Sequence, residues 1–197
     1  MSTLPKSNEK IKEKCIHYLK EGFFSFIWLA ILLVIIDVIT KVLAMQYLGN
    51  GSVEVIPHLL KFTLIFNKGA AWGFLGDEFV GRIILVIISW VAMIAISAYF
   101  IVKYKTLNKL MKAILMVILA GDVGNLIDRT FYFNRGVVDF LDITDFIPGF
   151  GVFNFADSCL VVGILMLCVY FIVLWIKELV KEGKTNRIKE NNKDDEK

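Results

Sequence analysis

The chain has 197 residues, 57% of them hydrophobic, with a mean hydropathy of +0.66 and a formal net charge of +3. A water-soluble domain of this length is far less apolar, and the uncharged stretch 83–102 matches the roughly twenty helical residues needed to cross a hydrocarbon layer about 30 Å thick. Composition therefore points to one integral membrane domain. It excludes a nucleic-acid binder, which would carry a clustered basic face with aromatics.

Lysines 6, 10, 12, 14 and 20 crowd the N-terminus. The first apolar segment, about 23–48, is too long for a cleaved signal peptide, lacks a small-residue cleavage site, and is read as an anchor. It carries Asp37 and Lys41 one turn apart, a spacing that suits an internal ion pair bracing a site from the side. The loop at about 49–78 is turn-rich, and its alternating "KFTLIF" predicts a short strand. A second span is expected over 79–102 and a third over 110–127, separated by Lys103, Lys105, Lys109 and Lys112. A second loop, about 129–151, leads to a fourth span over 152–176, followed from Lys177 by more lysines. Basic flanks are retained on the cytoplasmic side. The expected fold is thus an all-α membrane protein of four transmembrane helices, both termini cytoplasmic, with a small β-containing extracytoplasmic region between the first two. The membrane domain is expected to span 1–181, and the polar tail 182–197 is expected to be disordered.

Ionisable groups inside spans are costly and usually functional. In "GDVGNLIDR", helical periodicity puts Gly121, Gly124, Asn125 and Asp128 on one face, and the two glycines allow close helix approach. Arg129 closes this helix, where snorkelling or an ion pair with Asp122 or Asp128 accounts for it. A planar guanidinium there can equally hold a substrate carbonyl or orient a carboxylate. Asn154 and Asp157 fit a helix cap with an acid at the third helical position. A cap does not require a second acid, yet Asp139, in "GVVDF", is delivered by the other end of the same loop. Two carboxylates in one site share a proton, so one can act on water and the other on a carbonyl oxygen. Asp142 and Asp145 are expected to be solvated loop charges.

Other chemistries are poorly served. His17 and His58 are read as surface residues, which leaves a serine or cysteine nucleophile without its base. No HExxH or cysteine cluster offers a zinc site. Cys159 and Cys168 are expected to be apolar filler.

Taken together, "DVITK", "FNKGAAWGF", "GNLIDR", "GVVDF" and "VFNFAD" occur in the order seen in the lipoprotein signal peptidases (signal peptidase II), and the chain resembles that family from Asp37 to Asp157. The resemblance implies an aspartyl endopeptidase of the bacterial cytoplasmic (inner) membrane that cleaves prolipoproteins before a diacylglyceryl-modified cysteine. It implies Asp139 and Asp157 as the catalytic dyad. Asp37, Lys41, Asn67, Gly69, Asn125, Asp128, Arg129, Asn154 and Ala156 would shape the site. It implies no cofactor and no metal, and the substrate and membrane lipid as partners; a monomer is expected. Asp122, the long "TFYFNR" between Arg129 and Asp139, and "PGFGVFN" depart from the family pattern and bear on the shape of the second loop. Two other readings stand beside this one. A small proton-coupled transporter or channel would use the intramembrane polar groups as a relay, with carboxylates near mid-membrane and often an internal repeat. An inactive scaffold would tolerate Asp139→Asn.

Overall fold

The computed structural model describes residues 25–49, 51–69 and 78–195, and the isolated positions 11, 12 and 16, with side chains described as far as 185. Four helices carry the chain: α1 (Ile27–Tyr47), α2 (Glu78–Lys103), α3 (Lys109–Phe131) and α4 (Phe155–Asp195). All four are long and apolar enough to cross a membrane. A backbone in hydrocarbon has no water to bond, so a continuous helix is the form that satisfies it.

The helix α3 is central. Of its most apolar stretch 61% is buried in protein, against 11–17% for the other three, and its mean hydropathy there is lowest, 1.8 against 2.5–2.9. A helix surrounded by helices rather than lipid can carry polar groups, provided each finds a partner. Asn108 caps it, accepting from the Met111 amide at 2.8 Å. Close approach to α4 and to α1 relies on small residues. A Cβ on Gly121 would lie 2.5 Å from the Ala156 carbonyl, and one on Gly124 would lie 2.6 Å from the Asp37 carboxylate. At the other end of the bundle Ala30, Phe100, Met111, Leu115, Met116 and Ala120 form the buried apolar core.

Two hairpin strands, β1 (Ser52–Ile56) and β2 (Leu60–Asn67), precede α2, and β3 (Val137–Asp142) follows α3. They form one antiparallel sheet in the order β1-β2-β3, with Asn67 opposite Val137 and Ile65 opposite Asp139. The "KFTLIF" strand is as expected, whereas β3 falls within the segment expected to be loop. Its signal, "VVDFLD", is short, and its strand form depends on pairing with a segment 70 residues earlier in the chain.

Three helix ends differ from the sequence expectation by a few residues. Positions 23 and 24 lie outside the described residues, and α1 begins only at Ile27. The third helix runs past Arg129 to Phe131. The fourth starts at Phe155, three residues later than expected, because Asn154 caps it. The backbone of α4 continues as helix to Asp195; Lys and Glu favour helix, and no proline interrupts the run.

Candidate active site

At the sheet-bearing end of the bundle, two carboxylates are joined through two amides. Asp139, 2% exposed, comes from β3, and Asp157, partly buried, from the first turn of α4. The Asn154 amide donates from Nδ2 to Asp139 Oδ1 at 2.7 Å and to Asn125 Oδ1 at 3.0 Å. Asn125 Nδ2 in turn donates to Asp157 Oδ1 at 2.7 Å. Both asparagines are wholly buried, so their orientations are fixed by these bonds.

Asn154 also performs the capping role read from sequence. Its Oδ1 accepts from the Asp157 amide at 2.9 Å, and its own amide donates to Asp157 Oδ2 at 3.1 Å. This is a reciprocal capping box with Asn and Asp in place of Ser and Glu. One residue therefore begins the helix, orients Asp157 and holds Asp139. Capping and site-building were set against each other in the sequence; the fold makes them one arrangement.

The strand β3 decides which acids meet. Asp139 shares a sheet face with Asn67, its diagonal neighbour on β2, whose Nδ2 donates to Asp139 Oδ2 at 2.9 Å. Asn67 Oδ1 accepts from the Gly69 amide at 2.9 Å, where Gly69 has φ +87°. Asp142 is three residues along and so points to the other face. It is 5% exposed and accepts from the hydroxyls of Thr63 at 2.9 Å and Thr144 at 2.7 Å. The expectation of a solvated Asp142 is corrected: pairing buries it, away from Asp139. Burial tends to raise its carboxyl, but bonds from Thr144 and Thr63 and the nearby Lys61 charge hold it below its ordinary value. Asp145 is exposed and pairs with Lys61 at 2.9 Å.

Beneath the acids lies an ionic cluster. Lys41 Nζ contacts Asp37 Oδ2 at 2.8 Å and Asp128 Oδ2 at 3.0 Å, and donates to Asn125 Oδ1 and the Gly124 carbonyl, each at 3.3 Å. All three charged residues are at most 5% exposed. Removing one partner from such a cluster is strongly destabilising, because the others stay buried without it. Asp37 Oδ1 accepts from the Ala156 amide at 2.9 Å, which links α1 to the start of α4. Asp37 and Lys41 thus pair as expected and reach further than their one-turn spacing indicates.

Arg129 takes one of its polar contacts outside the acid cluster. Asp128 is paired with Lys41 and with Arg135, and Arg129 Nη1 donates instead to the Ser89 hydroxyl on α2 at 3.1 Å. Arg129 lines a cavity of about 220 Å³ with Asn67, Gly69, Arg82, Phe133 and Val137. Ser89, Arg82 and Arg135 were not singled out in the sequence. Serine in an apolar run and arginine beside a span are ordinary, so no local signal marks them.

Burial pushes the Asp139 carboxyl up to about 6; the amide of Asn67 opposes this, and the Asp157 charge adds to it. A buried acid that keeps its proton up to about pH 6, tied to a second carboxylate, can donate to a carbonyl oxygen while the other draws a proton from water. His58 is exposed, with φ 58°, and His17 lies outside the described residues. Cys159 is buried and Cys168 exposed, both free, and Cys15 lies outside the described residues. Among the described residues, no three His, Cys, Asp or Glu side chains gather to hold a metal ion.

A sequence model described as signal peptidase (SPase) II matches residues 29–173. A lipoprotein signal peptidase of Staphylococcus aureus (strain MRSA252) is 37% identical over 144 residues, covering 73% of this chain and 85% of its own. Two solved structures of a bacterial membrane enzyme, obtained by the in meso method, share the fold. The one at 1.9 Å has TM-score 0.64 and 35% identity, over 76% of this chain and 92% of its own. The one at 2.3 Å has TM-score 0.63 and 34% identity, over 77% and 88%.

Proposed function

We propose, for a chain that belongs to the signal peptidase (SPase) II family of aspartic peptidases, that it removes signal peptides from diacylglyceryl-modified prolipoproteins, cleaving before the lipidated cysteine with Asp139 and Asp157. The observation that carries this reading is the amide bridge. Asn154 and Asn125 join the two carboxylates, through bonds of 2.7 Å at either end. A transporter relay would not need both acids locked to one another at the end of a bundle.

In the reaction, Asp157 takes a proton from water as the oxygen adds to the carbonyl carbon before the cysteine. Asp139 gives its proton to the carbonyl oxygen, leaving a neutral gem-diol. Asp157 then passes its proton to the amide nitrogen, the C–N bond breaks, and a gem-diol hydroxyl returns a proton to Asp139. The products are a signal peptide with a new carboxyl terminus and a lipidated cysteine with a free α-amine. No covalent intermediate forms. Arg129, from its cavity beside Asn67 and Gly69, is suited to hold the substrate's main-chain carbonyls.

The lysine-rich ends fit a cytoplasmic location for both termini, in the bacterial inner membrane. The sheet and the dyad then face the extracytoplasmic surface, where a lipidated peptide arrives laterally with its acyl chains in the bilayer. The test is cleavage of a diacylglyceryl-modified prolipoprotein in lipid or detergent, with the unlipidated precursor as control. Cleavage only of the modified form, lost in Asp139→Asn and in Asp157→Asn while both variants stay folded, is expected. Retained cleavage in either variant would remove that residue from the mechanism.

A further inference from the structure

Between α3 and β3 the chain turns tightly: the Arg135 and Gly136 amides donate to the Tyr132 carbonyl at 2.9 and 3.0 Å. Gly136 has φ +89°, and a Cβ there would lie 2.6 Å from the Asn67 carbonyl oxygen, so the turn presses on the end of β2. From this turn the Arg135 side chain reaches α3 and α1 and folds back on the turn itself. Its Nη2 meets Asp128 Oδ1 at 3.1 Å, its Nη1 donates to Met45 Sδ at 3.2 Å on α1, and its guanidinium stacks 3.9 Å from the Tyr132 ring centroid.

The Asp128 carboxylate lies at the centre of two paths. In one direction, its Oδ2 accepts from the Val138 amide at 3.4 Å, and Val138 immediately precedes Asp139. In the other, Lys41 links it to Asp37, which accepts from the amide of Ala156, the residue immediately before Asp157. One continuous chain of contacts thus holds the backbone on the N-terminal side of both acids. Its formal charges alternate along Asp37, Lys41, Asp128 and Arg135 and sum to zero. Without Arg135 the cluster carries an uncompensated negative charge, and one Asp128 oxygen loses its partner in a site that is 5% exposed.

We propose that Arg135 is a positioning residue for the reaction: it closes this neutral chain and so fixes Asp139 relative to Asp157. The effect on cleavage rests on the dyad reading above; the anchoring of β3 does not, and the two are measured separately. Hydrogen exchange of the full-length protein in detergent, read by mass spectrometry, reports the Val138, Asp139 and Phe140 amides. Arg135→Gln should exchange there roughly tenfold faster, with the α3 interior unchanged, because a neutral amide cannot replace the charge. Its kcat should fall roughly tenfold with KM within about twofold, since a misplaced catalytic group lowers turnover rather than binding. Arg135→Lys, which keeps the charge but not the planar fork, should recover most of kcat. Wild-type exchange in β3 of Arg135→Gln would overturn the anchor. Faster exchange with unchanged kcat, or a loss confined to KM, would overturn the positioning role. Were the wild type unable to cleave the lipidated substrate, the dyad reading would fall, and the exchange measurement would still decide whether Arg135 anchors β3. If Arg135→Gln does not fold, Arg135→Lys carries the same test, with β3 exchange expected between wild type and complete loss of protection.

Discussion

At the end of the bundle that carries the sheet, Asp37, Lys41, Asn125, Asp128, Asp139 and Asn154 are buried and bonded to one another. At the opposite end, α1, α2 and α3 meet through Ala30, Phe100, Met111, Leu115, Met116 and Ala120. Helices α1 and α3 contribute to both ends, yet different interactions hold them. In lipid there is little hydrophobic gain from pressing one helix on another, so the apolar end depends on close packing, which tolerates small changes of shape. The polar end depends on directed bonds, where every missing partner leaves a buried group unsatisfied. The proposed catalytic geometry belongs at the end where position is set by bond direction.

That contrast can be broken most decisively at the acids. Asp139→Asn and Asp157→Asn should each lower kcat by roughly 10²–10⁴-fold, the usual worth of general acid–base catalysis, with helix content and thermal stability preserved. Lys41→Met comes next. It removes the cation shared by Asp37 and Asp128, and unfolding in detergent should show a loss of about 3–5 kcal/mol together with weakened cleavage. A variant as stable as wild type would mean that the ionic cluster does not hold this end together.

Asn154 sharpens the comparison, because its two roles can be separated. Asn154→Ala should lose the cap, costing about 1 kcal/mol, and the bridge, so that stability and cleavage fall together. Asn154→Ser should recover the cap and most of that stability but not cleavage, since a hydroxyl is too short to span from Asp157 to Asp139. Equal rescue of both by serine would reduce Asn154 to a helix cap.

The pH dependence follows in size. With Asp139 raised from 3.8 to about 6, the folded protein holds a proton in that interval that the unfolded chain has released. This group's contribution to stability therefore declines as pH rises from about 4 to about 6. For catalysis, kcat/KM should fall on both sides of an optimum, and its alkaline limb should begin near pH 6 and approach a tenfold loss per unit. A kcat/KM that climbs steadily from acid to alkaline pH would contradict a shared proton. The smallest effect on cleavage is expected at the apolar end. Leu115→Ala should cost about 2–5 kcal/mol of stability and leave kcat unchanged below the melting temperature.

The four spans, the strand over "KFTLIF" and the polar face of α3 were legible because each is written in a local pattern: an apolar run, an alternation, a helical spacing. The pairing of Asp37 with Lys41 was legible for the same reason, at one turn's separation. Arg135 was not, because its partners Met45 and Asp128 lie on two different helices and only the turn at Gly136 brings it to them. Asp142 was misjudged because loop and strand expose an acid differently. Once Val137–Asp142 pairs with β2, alternation alone sends Asp139 and Asp142 to opposite faces.

The sequence by itself determined four segments long and apolar enough to cross a membrane, with acids at the ends of one loop, since apolar length and charge spacing are local properties. Only the tertiary structure decided that Asn154 and Asn125 would bridge those acids, that Arg129 would turn to Ser89, and that Asp128 would lie between Lys41 and Arg135. A side chain in hydrocarbon must take whatever partner the packed helices present, and that choice is made by the whole fold rather than by its neighbours in the chain.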